Sequence, residues 1–399
     1  MPVSGDRFPK YESMGYAHNF CHPPYVQTES ECQGKKMRLA YPNGLYWEND
    51  TSGGNRHIGQ FISNAVALGH EVWTWPGDQH PASRRLPVTK IGRLMAIRRM
   101  NAIYVRIENS PPGPSRWAIA PYRQLIGSPV IVWEFNVVPE FGRILGRSEA
   151  DIERAIHGFR HYGRGCDLAI CVSHALAEYV RDNLGIKRVL TVPNGSDPDL
   201  FRPDVPPVRR VQRNTDQLNV VWIGSADLEW HNFDLLREAA QLLWDRGLGR
   251  CVAFHIIGEG FRLMRDMSPN VNYYGSEDYS ALPRWLAAMD VGLCLYRPGP
   301  ADYSSPLKLF DYMASGLAVV GTFQPQLSEV FDQLGQCDLL VPPNDPEALA
   351  DVLLRLAWNR DFVRSQGNAG RQIVIDLYNW RRAVRDTFHE IESILEQRR

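Results

Sequence analysis

The sequence predicts an α/β protein made of two Rossmann-like, doubly wound domains that face each other across a cleft. Three observations carry this. From about residue 37, short apolar strands alternate with amphipathic helices along the chain, the pattern of parallel sheets built from βαβ units. The pattern is interrupted at Phe201-Arg202-Pro203-Asp204-Val205-Pro206-Pro207-Val208-Arg209-Arg210, where prolines followed by charge make a semi-rigid spacer. And 399 residues exceed one typical domain. The boundaries expected are an extension over 1–36, a first domain over 37–203, a second over 204–379, and a charged amphipathic helix over 380–399 that crosses back to the first.

In the first domain, Met37-Arg38-Leu39-Ala40-Tyr41 reads as a strand. A Gly/Asn/Ser-rich loop, Pro42 to Asn55, follows it and contains Gly53 and Gly54. Ile58, Phe61, Ile62, Ala65 and Leu68 then recur at helical spacing, Gly69 stops the helix, and Glu71 to Trp75 is the next strand. This βαβ unit carries its glycine loop at the carboxyl end of its first strand, where open α/β sheets bind ligands. Further strands are expected near 102–107, 129–135, 167–172 and 189–192, with a helix around 173–183.

The second domain starts with a strand from Leu218 to Ile223 ending at Gly224. A helix over 232–245, a strand over 252–257 ending at Gly258, and a strand over 271–274 ending at Gly275 follow. Next come a helix over 280–288 and a strand over 290–296. Glycine at a strand end lets a ligand approach the main chain. Gly258-Glu259-Gly260 is only a fragment of a dinucleotide fingerprint. The most informative segment is Ser304-Ser305-Pro306-Leu307-Lys308-Leu309-Phe310-Asp311, running to Gly316 and a buried strand. A polar loop enters a helix with Pro in its first turn, which turns backbone N–H groups and the positive end of the helix dipole towards an anion. Asp311, about one and a half turns further in, can accept hydrogen bonds from sugar hydroxyls. Lys308 on that helix faces either phosphate or solvent.

Composition excludes several classes. The net charge of −1 gives no global bias towards nucleic acid, and no apolar run approaches the ~20 residues that span a bilayer. The first residues lack a signal-peptide core, and seven scattered cysteines suit a reducing cytosol. His18, Cys21, His22 and Cys32 are too unevenly spaced for a tetrahedral zinc set, so no metal is expected there. One region is locally basic: nine Lys/Arg (Arg84, Arg85, Lys90, Arg93, Arg98, Arg99, Arg106, Arg116, Arg123) stand against Glu108 between Arg84 and Trp133. With Leu94, Met95, Ile97, Met100, Trp117 and Tyr122 interleaved, the 84–123 stretch suits peripheral contact with an acidic membrane or a lipid-diphosphate acceptor. A plain solvated patch is the alternative, and no nucleic-acid motif accompanies it.

Four segments, in order, carry a resemblance. Cys166-Asp167-Leu168-Ala169-Ile170-Cys171-Val172-Ser173, Val192-Pro193-Asn194-Gly195-Ser196-Asp197, Ile223-Gly224-Ser225 with Trp230-His231-Asn232-Phe233-Asp234, and Ser305 to Ala314 resemble elements of the retaining glycosyltransferases of GT-B family 4. The resemblance spans about residues 37–395. It implies a GT-B fold with an acceptor-binding first domain and a nucleotide-sugar-binding second domain. The implied activity is metal-independent transfer of a hexose, with retention of configuration, from a nucleotide diphosphate sugar to a glycan, lipid-linked or small-molecule acceptor. No cofactor is implied, and the setting is polysaccharide, glycolipid or glycoside synthesis in the cytoplasm, with peripheral attachment at the inner membrane face if the basic stretch serves it.

The implied donor site comprises Gly53, Gly54, Gly224, Ser225, His231, Gly258, Glu259, Tyr303, Ser304, Ser305, Pro306, Leu307, Lys308 and Asp311. Departures from the family pattern fall inside it. Asp311 stands for the ribose-binding Glu, and Tyr303, next to Asp302, stands for the sugar-binding acid. Ser225 and His231 match the Arg and Lys that usually hold the diphosphate. Trp133-Glu134-Phe135-Asn136 occupies the strand end where a catalytic His is common, so Glu134, Asn136 and His231 are the catalytic candidates and Arg106 and Glu134 the acceptor-side ones. A departing nucleoside diphosphate needs fixed positive potential. His231, if protonated, could supply it, predicting a rate that falls as pH rises through its titration; simple capping of the helix at 232 is the alternative. For Arg106 the alternative is an ion pair with Glu108 or Glu134. Two rival functions remain on this fold: a nucleotide-sugar epimerase, and a non-catalytic sugar-nucleotide-binding relative.

Overall fold

The structure, a computed structural model, describes residues 35–43, 46–47, 52–107, 128–211, 216–260 and 266–399, and Lys36–Arg399 form one compact unit. The first sheet holds seven parallel strands: β1 (Arg38–Tyr41), β2 (Glu71–Thr74), β3 (Arg84–Arg85), β4 (Ala102–Ile107), β5 (Val130–Phe135), β6 (Leu168–Cys171) and β7 (Val189–Thr191), in the order β3-β2-β1-β4-β5-β6-β7. Its helices are α1 (Gly53–Ala67), α2 (Lys90–Ile97), α3 (Glu149–Tyr162) and α4 (His174–Leu184). Every residue of β5 is buried, as a central parallel strand covered on both faces requires.

The second sheet holds β8 (Leu218–Ser225), β9 (Val252–Glu259), β10 (Val271–Tyr273), β11 (Val291–Cys294), β12 (Ala318–Thr322) and β13 (Leu340–Val341), in the order β10-β9-β8-β11-β12-β13. Its helices are α5 (Phe233–Asp245), α6 (Leu282–Leu286), α7 (Leu307–Ala314), α8 (Pro325–Leu334), α9 (Pro346–Trp358) and α10 (Arg360–Asp376). The last helix, α11 (Trp380–Gln397), lays Val384, Phe388, Ile391 and Ile394 onto the apolar cluster around β1 and α1. The doubly wound α/β class is as the sequence predicts.

Two differences bear on the site. Gly53 and Gly54 are not in a loop: they form the first turn of α1, because Ser52 accepts the Asn55 N–H at 3.2 Å and caps the helix there. The short β3 and β13 and helices α2, α3 and α8 to α10 go beyond the elements expected from the apolar pattern.

In each sheet the direction of winding reverses once, between β1 and β4 and between β8 and β11. Such switch points open a crevice at the carboxyl ends of the strands. The start of α1 meets the start of α7 across the cleft, since a Cβ placed on Gly53 would lie 3.2 Å from Leu307 Cδ1. The two switch points therefore face each other.

Candidate active site

The second-domain half of the site is built around Lys308. α7 starts at Pro306 without any side-chain cap, leaving its first amides open to the cleft. One residue into the helix, the Lys308 ammonium is buried and has no hydrogen-bond partner among the described residues. It lies 4.8 Å from the Trp222 ring centroid and 5.5 Å from that of Tyr296, and a Cβ on Gly224 would come within 3.0 Å of it. A solvated Lys308 is thus excluded. Burial lowers its pKa from 10.5 to about 8, so it remains largely cationic at neutral pH.

His231 takes a different role from the one expected. Its Nδ1 faces the Ser225 carbonyl at 2.8 Å, and burial, followed by the nearby Lys308 charge, pushes its pKa down to about 3. In the ligand-free protein the imidazole is neutral at neutral pH and supplies no positive potential. It does not cap α5 either, because the N-cap residue is Asn232 and no side-chain cap bond is made. The charge sought at His231 resides on Lys308.

The glycine-ended strands also need correction. Gly258 has φ +138°, and a Cβ there would lie 1.8 Å from the Gly224 carbonyl oxygen. Gly258 lets β8 and β9 end against one another, and Gly224 leaves space for the Lys308 ammonium. Glu259 is exposed at the end of β9. Tyr303 packs edge-on against Tyr179, with ring centroids 5.5 Å apart, and its carbonyl accepts a 2.7 Å hydrogen bond from Ser173. Asp302 is turned back onto the Gly299 N–H at 2.9 Å. Ser304 donates to the Ala301 carbonyl at 2.7 Å.

The first-domain half is centred on Glu134 at the end of β5. Its side chain is 1% exposed. Four groups converge on it: Tyr41 OH at 3.2 Å, Arg106 Nη1 at 3.2 Å, Asn136 Nδ2 at 3.0 Å and His57 Nε2 at 2.5 Å. Burial alone would raise its pKa, but His57 and Arg106 beside it hold it at about 2. Glu134 is therefore a saturated carboxylate, not open to a sugar. The Arg106–Glu134 ion pair is the arrangement present, and Arg106 also lies beside Gly54.

His57, on α1, escaped the sequence reading. So did the role of Asn194. The His57 Nδ1 lies 2.8 Å from Asn194 Oδ1, and Asn194 Nδ2 donates to the Ser305 carbonyl at 2.6 Å. Two residues on, Ser196 Oγ donates to Asp311 Oδ1 at 2.6 Å. Asp311 is buried, which raises its pKa to about 7 against the opposing pull of the Ser196 bond and Arg56. Arg56, also missed, stacks 4.3 Å over the Tyr279 ring. The Val192-to-Asp197 segment is thus the point where the first sheet, α7 and the return of the chain before α11 meet.

The basic stretch is thinner than its count suggests. Arg84 pairs with Glu71 at 3.4 Å, Arg85 with Asp78 at 3.2 Å, and Arg93 lies 4.1 Å over the Trp75 ring. Lys90, Arg98 and Arg99 stay exposed, beside Val88, Ile91 and Met95, which are 77%, 74% and 64% exposed. Arg116, Trp117, Tyr122, Arg123 and Glu108, like His18, Cys21, His22 and Cys32, lie outside the described residues. No helix among the described residues is long and apolar enough to cross a membrane.

Comparison with known proteins agrees with this geometry. Residues 217–359 match the family model of glycosyl transferases group 1. Over 223 residues the chain is 27% identical to TuaH of Bacillus subtilis strain 168, a protein named for glycosyl transfer in teichuronic acid biosynthesis; the match covers 49% of this chain and 54% of that one. The chain thus spans about half the length of such relatives. Among solved structures, sucrose-phosphate synthase from Thermosynechococcus elongatus superposes with TM-score 0.68 at 15% identity, covering 91% of this chain and all of the other. HepE of Anabaena, solved with UDP and glucose, gives 0.63 at 14% identity, covering 90% of this chain and all of the other. The fold is GT-B.

Proposed function

We propose that this protein is a retaining, metal-independent glycosyltransferase that moves a hexose from a nucleoside diphosphate sugar to a glycan, lipid-linked or small-molecule acceptor. One observation carries the donor half: a buried ammonium without a partner, at a switch point, next to an uncapped helix start. An unpaired buried cation is costly, and a bound anion removes that cost. Lys308 and the first amides of α7 are placed to hold the two phosphates and stabilise the negative charge that grows on the departing diphosphate. This supplies from the protein the positive potential that a metal ion supplies elsewhere, which supports the metal-independent reading. Asp311, buried about one turn beyond Lys308 on α7, is the candidate for the ribose hydroxyls once Ser196 yields one of its carboxylate oxygens. Retention and the acceptor rest on the family resemblance.

UDP-glucose is the first donor to try, because HepE was solved with UDP and glucose. UDP-, GDP-, ADP- and dTDP-sugars are tested for thermal stabilisation, then for slow release of free sugar and nucleotide. Stabilisation by one of them with donor hydrolysis supports the transferase. Stabilisation without turnover favours the non-catalytic relative, and interconversion of the sugar favours the epimerase. No response to any nucleotide sugar refutes the donor site.

A second element, the membrane contact, is favoured by α2. Its exposed Ile91 and Met95, with Val88 just before it, lie beside the exposed Lys90 and the Arg98 and Arg99 that follow it, the composition of an in-plane helix on an anionic surface at the cytoplasmic membrane face. Co-sedimentation with phosphatidylglycerol vesicles, lost in Ile91→Glu/Met95→Glu, tests it; equal pelleting of both proteins refutes it.

A further inference from the structure

We infer that His57 is a positioning residue: it joins Glu134 on the first sheet to Asn194 and thereby fixes Ser305 and the open start of α7, so that alignment of the donor site depends on the first domain. For its consequence this rests on the donor reading above; for its geometry it does not.

The polarity of the hydrogen bonds is determined by the groups themselves. A main-chain carbonyl only accepts, so the Asn194 group 2.6 Å from the Ser305 carbonyl is the amide nitrogen. The Asn194 oxygen is then the atom that faces His57 Nδ1 at 2.8 Å, and that ring nitrogen donates. The other ring nitrogen faces the Glu134 carboxylate at 2.5 Å and donates as well. His57 is therefore a two-headed donor between two acceptors. No uncharged side chain of its size offers two N–H groups in that straddling geometry.

The chain of contacts runs Glu134, His57, Asn194, Ser305, and all four residues are buried. It is doubled at its far end, where the Asn194 main-chain N–H reaches Ser305 Oγ at 3.2 Å. The ring of Trp380 meets His57 edge-on at 5.0 Å. Charged and titratable groups around the Glu134 end are Arg106 and Tyr104 from β4 and Tyr41 from β1. Burial makes each link rigid and strengthens it electrically. Because Pro306 caps α7 with no side chain, the helix start is oriented through Ser305, the residue just before it.

The test starts from ligand-free protein, which separates it from the fate of the donor reading. Three variants are compared by hydrogen–deuterium exchange. His57→Gln can still donate to Glu134 but turns its oxygen towards the Asn194 oxygen. Asn194→Asp keeps an acceptor for His57 but sets a carboxylate oxygen against the Ser305 carbonyl. The third is their combination. Each single variant should raise exchange of peptides spanning 304–310 about tenfold while peptides of 218–225 keep wild-type protection. Links in series give a double variant no worse than the single ones. With UDP as probe, dissociation constants should rise together, again about tenfold and without addition. Unchanged exchange over 304–310, a uniform rise across the whole protein, or additive effects in the double variant would each overturn the inference. If UDP fails to bind wild type while the exchange pattern holds, the linkage stands and the donor reading falls.

Discussion

Replacing Lys308 with methionine should make the ligand-free protein more stable while weakening its hold on a nucleotide. The depression from 10.5 to about 8 corresponds, at about 1.4 kcal/mol per pH unit, to a cost of about 3 kcal/mol for folding with a charged Lys308. The sign follows from the direction: this is a cation whose folded-state pKa is lowered, so the cost is fully present below pH 8 and is relieved as pH rises from 8 towards 10.5. Contact with the Trp222 and Tyr296 rings returns about 2 kcal/mol of it. Methionine fills a similar volume and removes the charge, giving a net gain of about 1 kcal/mol at pH 7, or roughly 1 °C in melting temperature for a chain of this length. Loss of a charge-assisted contact to phosphate costs about 2 kcal/mol of binding, close to thirtyfold in Kd. At UDP one hundred times the wild-type Kd, stabilisation of about 2.7 kcal/mol should shrink to about 0.9 kcal/mol. Differential scanning fluorimetry with and without UDP reads both numbers. A variant that melts below wild type yet keeps its full response to UDP would refute the assignment of Lys308 as an unpaired cation awaiting an anion.

Two more outcomes follow. UDP affinity should show no loss that depends on His231 between pH 5.5 and 7.5, since that imidazole is already neutral there, and should fall above about pH 8 as Lys308 loses its proton; titration calorimetry showing a drop between pH 5.5 and 7.5 that His231→Gln abolishes would restore the imidazolium. Gly258→Ala should destabilise by about 3 kcal/mol or more, since its Cβ would strike the Gly224 carbonyl at a left-handed φ, and a urea midpoint equal to wild type would contradict that close approach.

The fold was legible because both sheets are wound from local βαβ units whose strands are uniformly apolar and whose helices show one apolar face. The start of α7 was legible for the same reason: Pro306 and the polar residues before it act over a few positions. What the sequence hid depends on contacts between distant segments. Lys308 looks like a surface lysine on a short helix until Trp222 and Tyr296, from β8 and the end of β11, roof it over. His57 sits among Ile58, Phe61 and Ile62 and passes for a core residue of α1; its partners lie on β5 and beside β7. His231 and Glu134 were singled out by family position, and burial changed the role of each. A signal was available for Asn194, since an amide between Pro193 and Gly195 at a domain boundary has little reason to be buried unless both its ends are bonded.

One consequence follows from how the chain leaves the second sheet. The Ser196 N–H bonds the Tyr378 carbonyl at 3.0 Å and the Trp380 N–H returns to the Ser196 carbonyl at 3.2 Å, so outgoing and incoming strands run side by side. Gly195 makes this passage fit, since a Cβ there would lie 2.7 Å from the Tyr378 oxygen. Topologically, everything between these crossings is a cassette spliced into the first domain, with both splice ends at one point. It can be exchanged for a homologous one without moving either terminus of its host, so a second sheet of different sequence can be carried on an unchanged first sheet.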